Sequence, residues 1–206
     1  MKLLFLLFLL MPVTTFSQTA TSYLMSGNVK LISRDFKNAI SDFTKAIDLD
    51  PKNSQAYFNR GVAKAGLEEH TGAIADYNKS LELDPKNQAA YYKRGLSKIE
   101  IKLHKEAVSD FDKAIIVSPK NIIDSFSNKD IYISRGIAKY HLLDIKSALT
   151  DFSNAISMYK NDGMAYCYRG LCKIDLQQQK EGCIDLRKAA ELNFTQAAEL
   201  IRENCK

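Results

Sequence analysis

The feature that most constrains this chain is a repeat of 34 residues. Gly27, Gly61 and Gly95 are spaced at that interval, and Gly61, Gly95, Gly136 and Gly170 each follow an arginine, whereas Gly27 follows Ser26. Placing a boundary after each LDPKN or SPKN segment divides the chain into five units: 20 to 53, 54 to 87, 88 to 121, 129 to 162 and 163 to 196. A repeat of this length is one supersecondary unit that cannot bury its apolar face alone, so the units must stack.

Within a unit the chemistry is fixed by position. The fourth place holds Tyr23, Tyr57, Tyr91, Tyr132 and Tyr166, and the eighth is always glycine. The twentieth is Ala39, Ala73, Ala107, Ala148 and Gly182; the twenty-fourth is Phe43, Tyr77, Phe111, Phe152 and Leu186; and the twenty-seventh is Ala46, Ser80, Ala114, Ala155 and Ala189. Apolar and small residues recur at helical spacing in each half. Pro51, Pro85 and Pro119 then stop the second helix, since proline cannot continue a helix and pushes its predecessor out of helical geometry. The expected fold class is all-α: ten helices in five hairpins, with an eleventh over 197 to 206 capping the open end.

This order of aromatic, small, small, aromatic, small and proline resembles the tetratricopeptide repeat, and it spans nearly all of the chain beyond residue 17. The resemblance implies an α-α superhelical solenoid whose first helices line a concave groove for an extended peptide or a partner helix. Carried over position by position, the groove residues are Gln55, Phe58, Val62, Ala89, Tyr92, Leu96, Ile99, Asp130, Ile133, Ile137 and Tyr140. Phe58 and Tyr92 are the expected anchors, because aromatic side chains dominate such interfaces. The basic, asparagine-rich groove that receives free carboxyl termini is absent, since Leu24, Phe58, Tyr92, Ile133 and Cys167 hold its place. The expected partner is a protein or peptide with an apolar or aromatic segment; a glycan or lipid ligand is the second reading.

Position seven holds Arg60, Arg94, Arg135 and Arg169, and position twenty-three holds Asp42, Asp76, Asp110, Asp151 and Asp185. Arginine is missing where no unit precedes, which predicts ion pairs between adjacent units: Asp42 with Arg60, Asp76 with Arg94, Asp110 with Arg135 and Asp151 with Arg169. Position eleven is Lys30, Lys64, Lys98, Lys139 and Lys173. Those lysines either pair partly with the same aspartates or form a row that steers an acidic ligand.

The N-terminus has its own character. Met1 and Lys2 precede an apolar run from Leu3 to Met11, and Thr15 and Ser17 supply small residues, the parts of a secretory signal peptide cut after Ser17 (1 to 17), leaving 18 to 206 as the mature domain. The run is about half the roughly 20 apolar residues that cross a bilayer, so no transmembrane segment is expected in the mature chain. Export exposes the four cysteines to oxidation. Cys183 and Cys205 are expected to pair, because antiparallel packing returns the end of the cap beside the start of the helix it covers; Cys172 with Cys183 is the competitor, and four buried thiols the alternative to both.

The rest narrows the function. A net charge of +5 with no basic block gives no nucleic-acid surface. His70, His104 and His141 read as turn residues without further ligands at metal spacing, and no nucleophile elbow, phosphate loop or HExxH helix occurs. No cofactor or catalysis is expected. Ile122 to Asn128 interrupt the repeat and lengthen the junction between the third and fourth units, a place for a hinge.

Overall fold

The computed structural model describes residues 19–117 and 128–205. The expected signal segment, and the insertion apart from Asn128, lie outside them. The described residues form eleven helices: α1 Ala20–Ile32, α2 Phe36–Leu49, α3 Ser54–Gly66, α4 His70–Leu83, α5 Gln88–Glu100, α6 His104–Val117, α7 Asn128–His141, α8 Ile145–Met158, α9 Gly163–Asp175, α10 Gln179–Glu191 and α11 Ala197–Asn204. No strand occurs among them.

Each helix boundary has a local cause. Asn53 and Asn87 accept a hydrogen bond from the amide of the third residue of α3 and α5, Ala56 and Ala90, and Asp162 accepts one from Ala165 of α9, at 3.0, 2.9 and 3.0 Å. Their side chains thereby satisfy a donor that the helix leaves unpaired. Asp50 and Asp84 end the preceding helices, and their carboxylates accept from Lys52 N and Lys86 N, so the LDPKN segment terminates one helix and caps the next. The turn inside each hairpin is different. Arg34, Glu68, Lys102, Leu143 and Gln177, all at position fifteen, have φ of 60 to 65°. That left-handed conformation reverses the chain in three residues at the cost of strain, because none of the five is glycine.

Hairpin partners pack through glycine and a ring. A β-carbon on Gly61 would sit 2.7 Å from Cε1 of Tyr77, and one on Gly95 would sit 2.7 Å from Cε1 of Phe111. The ring at position twenty-four therefore lies directly on the backbone of the first helix. Phe43, Tyr77, Phe111, Phe152 and Leu186 are fully buried, and Phe111 and Phe152 each anchor a small core with the alanines at twenty and twenty-seven. The cores repeat along the axis instead of merging into one.

First helices of successive units, α1 with α3, α3 with α5, α5 with α7 and α7 with α9, also touch one another. They form the inner, closely spaced row, and the second helices are splayed outside it. The stack is therefore concave on the side of the first helices, as unequal spacing of the two rows requires.

Candidate partner-binding groove and its supporting ladder

Beneath the groove runs a ladder of ion pairs, and its register corrects the expected one. Arg60 donates Nε and Nη2 to the two carboxylate oxygens of Asp76 at 2.9 and 2.7 Å. Arg135 meets Asp151 at 2.9 and 2.6 Å, Arg169 meets Asp185 at 2.7 and 2.7 Å, and Arg94 meets Asp110 in the same way. The pairs lie within one hairpin. Asp42 with Arg60, Asp76 with Arg94, Asp110 with Arg135 and Asp151 with Arg169 do not form.

The physical reason is that positions seven and twenty-three face each other across the hairpin, where the planar guanidinium matches the carboxylate bidentately. What does reach the previous unit is the third arm. Nη1 of Arg60, Arg94 and Arg135 donates to Thr44, Asn78 and Asp112 at 3.2, 2.7 and 2.6 Å. In the first unit, where position seven is serine, Ser26 and Lys30 donate to Asp42 instead. Burial pushes the Asp42 carboxyl up, but the bonds from Lys30 and Ser26 outweigh it and hold it below its ordinary range.

The lysines of position eleven complete each rung. Lys64, Lys98, Lys139 and Lys173 lie 2.8, 2.7, 2.8 and 2.7 Å from the same aspartates, so this row is consumed in the ladder and does not steer an acidic ligand. Tyr57, Tyr91, Tyr132 and Tyr166 carry the arginines over their rings at 5.6 to 5.2 Å, a cation–π contact that desolvates the pair further.

Above the ladder, the inner helices carry the groove positions. Phe58 is half-buried and tilted against Tyr77 with centroids 5.9 Å apart, and Val62 lies half-buried one turn on. Leu96 and Ile99 on α5, and Ile137 and Tyr140 on α7, rest half-exposed on the cores below them. Gln55 is exposed and donates to Asn59 at 2.8 Å, Ala89 is half-buried, and Asp130 pairs with Lys129 at 3.1 Å. Tyr92 and Ile133 are corrections: they are 8% and 6% exposed. Tyr92 packs on Phe111 at 6.0 Å and bonds Ser134 of the next inner helix, so it joins units together and is not an anchor for a ligand.

Sequence reasoning missed Tyr168, which stacks on Phe152 at 5.5 Å and meets Tyr140 edge-on at 6.2 Å, while Tyr140 bonds Asp175. Burial first, and then that bond, push the Tyr140 phenol above its ordinary range. Position six carries Met25, Asn59, Lys93, Ser134 and Tyr168, too varied to mark itself in the repeat.

Cys183 and Cys205 are joined, with Cα atoms 5.7 Å apart, and Cys167 and Cys172 are free and buried. The competing Cys172 to Cys183 linkage does not form. His104 and His141 stack at 4.7 Å between the third and fourth units, and among the described residues no cluster of three or more His, Cys, Asp or Glu exists to hold a metal. No described helix is long and apolar enough to cross a membrane.

Residues 54–87 match one tetratricopeptide-repeat family model, and residues 20–53 and 88–121 match a second. A crystal structure of MamA is similar to this chain with a TM-score of 0.74 at 23% identity, covering 84% of this chain and 96% of that one. MamA from Desulfovibrio magneticus RS-1 gives 0.76 at 18% identity over 86% and 96%. YrrB, described as a TPR protein with an unusual peptide-binding site, gives 0.77 at 16% identity over 90% and 93%. No curated protein matches the chain. At these identities the likeness establishes the fold.

Proposed function

We propose that this chain, a solenoid carrying tetratricopeptide repeats, is an exported, non-enzymatic scaffold that holds an extended or helical segment of another protein in its concave groove. The observation that carries the reading is the half-open apolar stripe of Phe58, Val62, Leu96, Ile99, Ile137 and Tyr140 over three adjacent inner helices. Side chains spaced in this way match the alternate apolar residues of a bound segment. The ladder below them is self-satisfied, so it holds the helices in place and leaves the stripe as the unfilled part of the inner face. The peptide-binding site ascribed to YrrB favours a peptide over a glycan or lipid. Export is supported by the apolar run from Leu3 to Met11 with small residues at Thr15 and Ser17, and by the Cys183–Cys205 bond, which persists in oxidising compartments.

The test is a panel of displayed peptides selected on the purified protein. The reading expects enrichment of apolar and aromatic segments whose binding falls at least about tenfold in a Phe58→Ala/Val62→Ala double variant, the loss of two contacts near the centre of an interface. The helical circular dichroism of that variant should be unchanged. Selected peptides that bind the double variant as tightly as the native chain contradict the groove assignment.

A further inference from the structure

The two ends of the solenoid are finished differently. At the C-terminal end α11 covers α10, with Ala197 buried and Leu200 and Ile201 packed on the last core, and it turns Glu199, Arg202 and Glu203 to solvent. A polar outer face is what a solenoid cap needs. At the other end no unit precedes α1 among the described residues. In α3 and α7 the third, sixth and tenth positions are buried under the preceding unit, as Ala56, Asn59 and Ala63 and as Ile131, Ser134 and Ala138. In α1 the sixth and tenth positions are larger and apolar, Met25 and Val29, and they are 64% and 67% exposed, followed by Ile32 at 84%. Spacings of four and three put these three on one face. The single charge on α1 is Lys30, and it is occupied by Asp42 at 2.5 Å.

We propose that this stripe is the contact of a two-fold dimer, in which a second copy of the chain lays its own α1 antiparallel over Met25, Val29 and Ile32. A face that must match itself cannot carry an unpaired charge, and this one carries none. Antiparallel docking also sets the positive N-terminal end of each α1 dipole beside the negative C-terminal end of the other. A two-fold contact uses the same stripe on both copies and leaves none for a third, so the association closes at two. This inference is independent of what the groove holds.

The experiment is light scattering coupled to size exclusion on the protein purified after export, with its first residue read by N-terminal sequencing. The native protein gives twice the monomer mass at tens of micromolar. A Met25→Glu/Val29→Glu variant weakens dimerisation at least about a hundredfold, since it places unpaired charges at the centre of the contact. Both residues are exposed in the single chain, so the variant retains its circular dichroism and melting temperature as a monomer. A native protein that stays monomeric overturns the proposal, and binding of that monomer to phosphatidylcholine–phosphatidylglycerol vesicles through the same residues assigns the stripe to lipid. A dimer that survives the double substitution, or a ladder of higher oligomers, overturns it by locating the contact elsewhere.

Discussion

Arg94 and Asp110 face each other across one hairpin, joined by two parallel hydrogen bonds while Nη1 of the same guanidinium reaches Asn78 in the unit before. One side chain thus closes its own hairpin and clamps it to its neighbour. Asp110 is 2% exposed and also accepts from Lys98 at 2.7 Å. Replacing Asp110 by Ala leaves two cations side by side with no anion, and should cost about 3 to 5 kcal/mol, whereas Arg94→Ala should cost less because Lys98 still serves the carboxylate. A double-mutant cycle by urea unfolding should give strong coupling for Arg94 with Asp110 and none for Arg94 with Asp76. Coupling in the second pair would return the ladder to the inter-unit register.

Gly95 has no room for a side chain. Gly95→Leu should destabilise the solenoid by about 1 to 3 kcal/mol or more, because the new atoms must displace the Phe111 ring from a filled core. A variant that melts at the native temperature would contradict the contact.

The four cysteines should divide two and two. Burial pushes the Cys167 thiol up to about 11, and burial followed by the Asp175 charge pushes Cys172 up to about 12. At pH 8 their thiolate fraction is about one part in a thousand or less, too low for alkylation in the folded protein. Mass spectrometry after iodoacetamide should find no label on the native chain, two labels after unfolding without reductant, and four after reduction. Reduction should also lower stability by about 3 kcal/mol through release of the 22-residue loop between Cys183 and Cys205. Labelled Cys205 in the unreduced protein would contradict the bond.

The periodicity made the helix hairpins readable, because they rest on residues that recur in phase, and the cap helix was readable from the open end that such a stack leaves. Three features resisted. Position counting gives the residue types of the ion pairs but not which of two neighbouring helices a long arginine side chain meets first, so it does not tell pairing within a unit from pairing between units. Tyr92 reads as a groove residue from its position alone, because half-open and buried sites on an inner helix differ by a small rotation that no spacing rule resolves. The hairpin turn was invisible as well, because its left-handed position carries Arg34, Glu68, Lys102, Leu143 and Gln177 instead of glycine.

That turn supplies a stabilising substitution. Leu143 is 82% exposed with φ of 61°, so Leu143→Gly removes left-handed strain and loses almost no packing. The gain should be about 1 kcal/mol, the strain being partly offset by the freer unfolded chain. Calorimetry should show a higher melting temperature for Leu143→Gly, and a lower one would contradict the assigned turn.

The central claim, that the inner row of helices holds a protein partner, is tested most directly by site-specific photocrosslinking in the native compartment. A benzophenone amino acid would be placed in turn at Phe58 and Val62 on the inner row, and at Lys45 and Asn78 on the outer one. The account predicts a discrete adduct with one defined protein from Phe58 and Val62 and none from Lys45 or Asn78; adducts formed from the outer positions alone would contradict it.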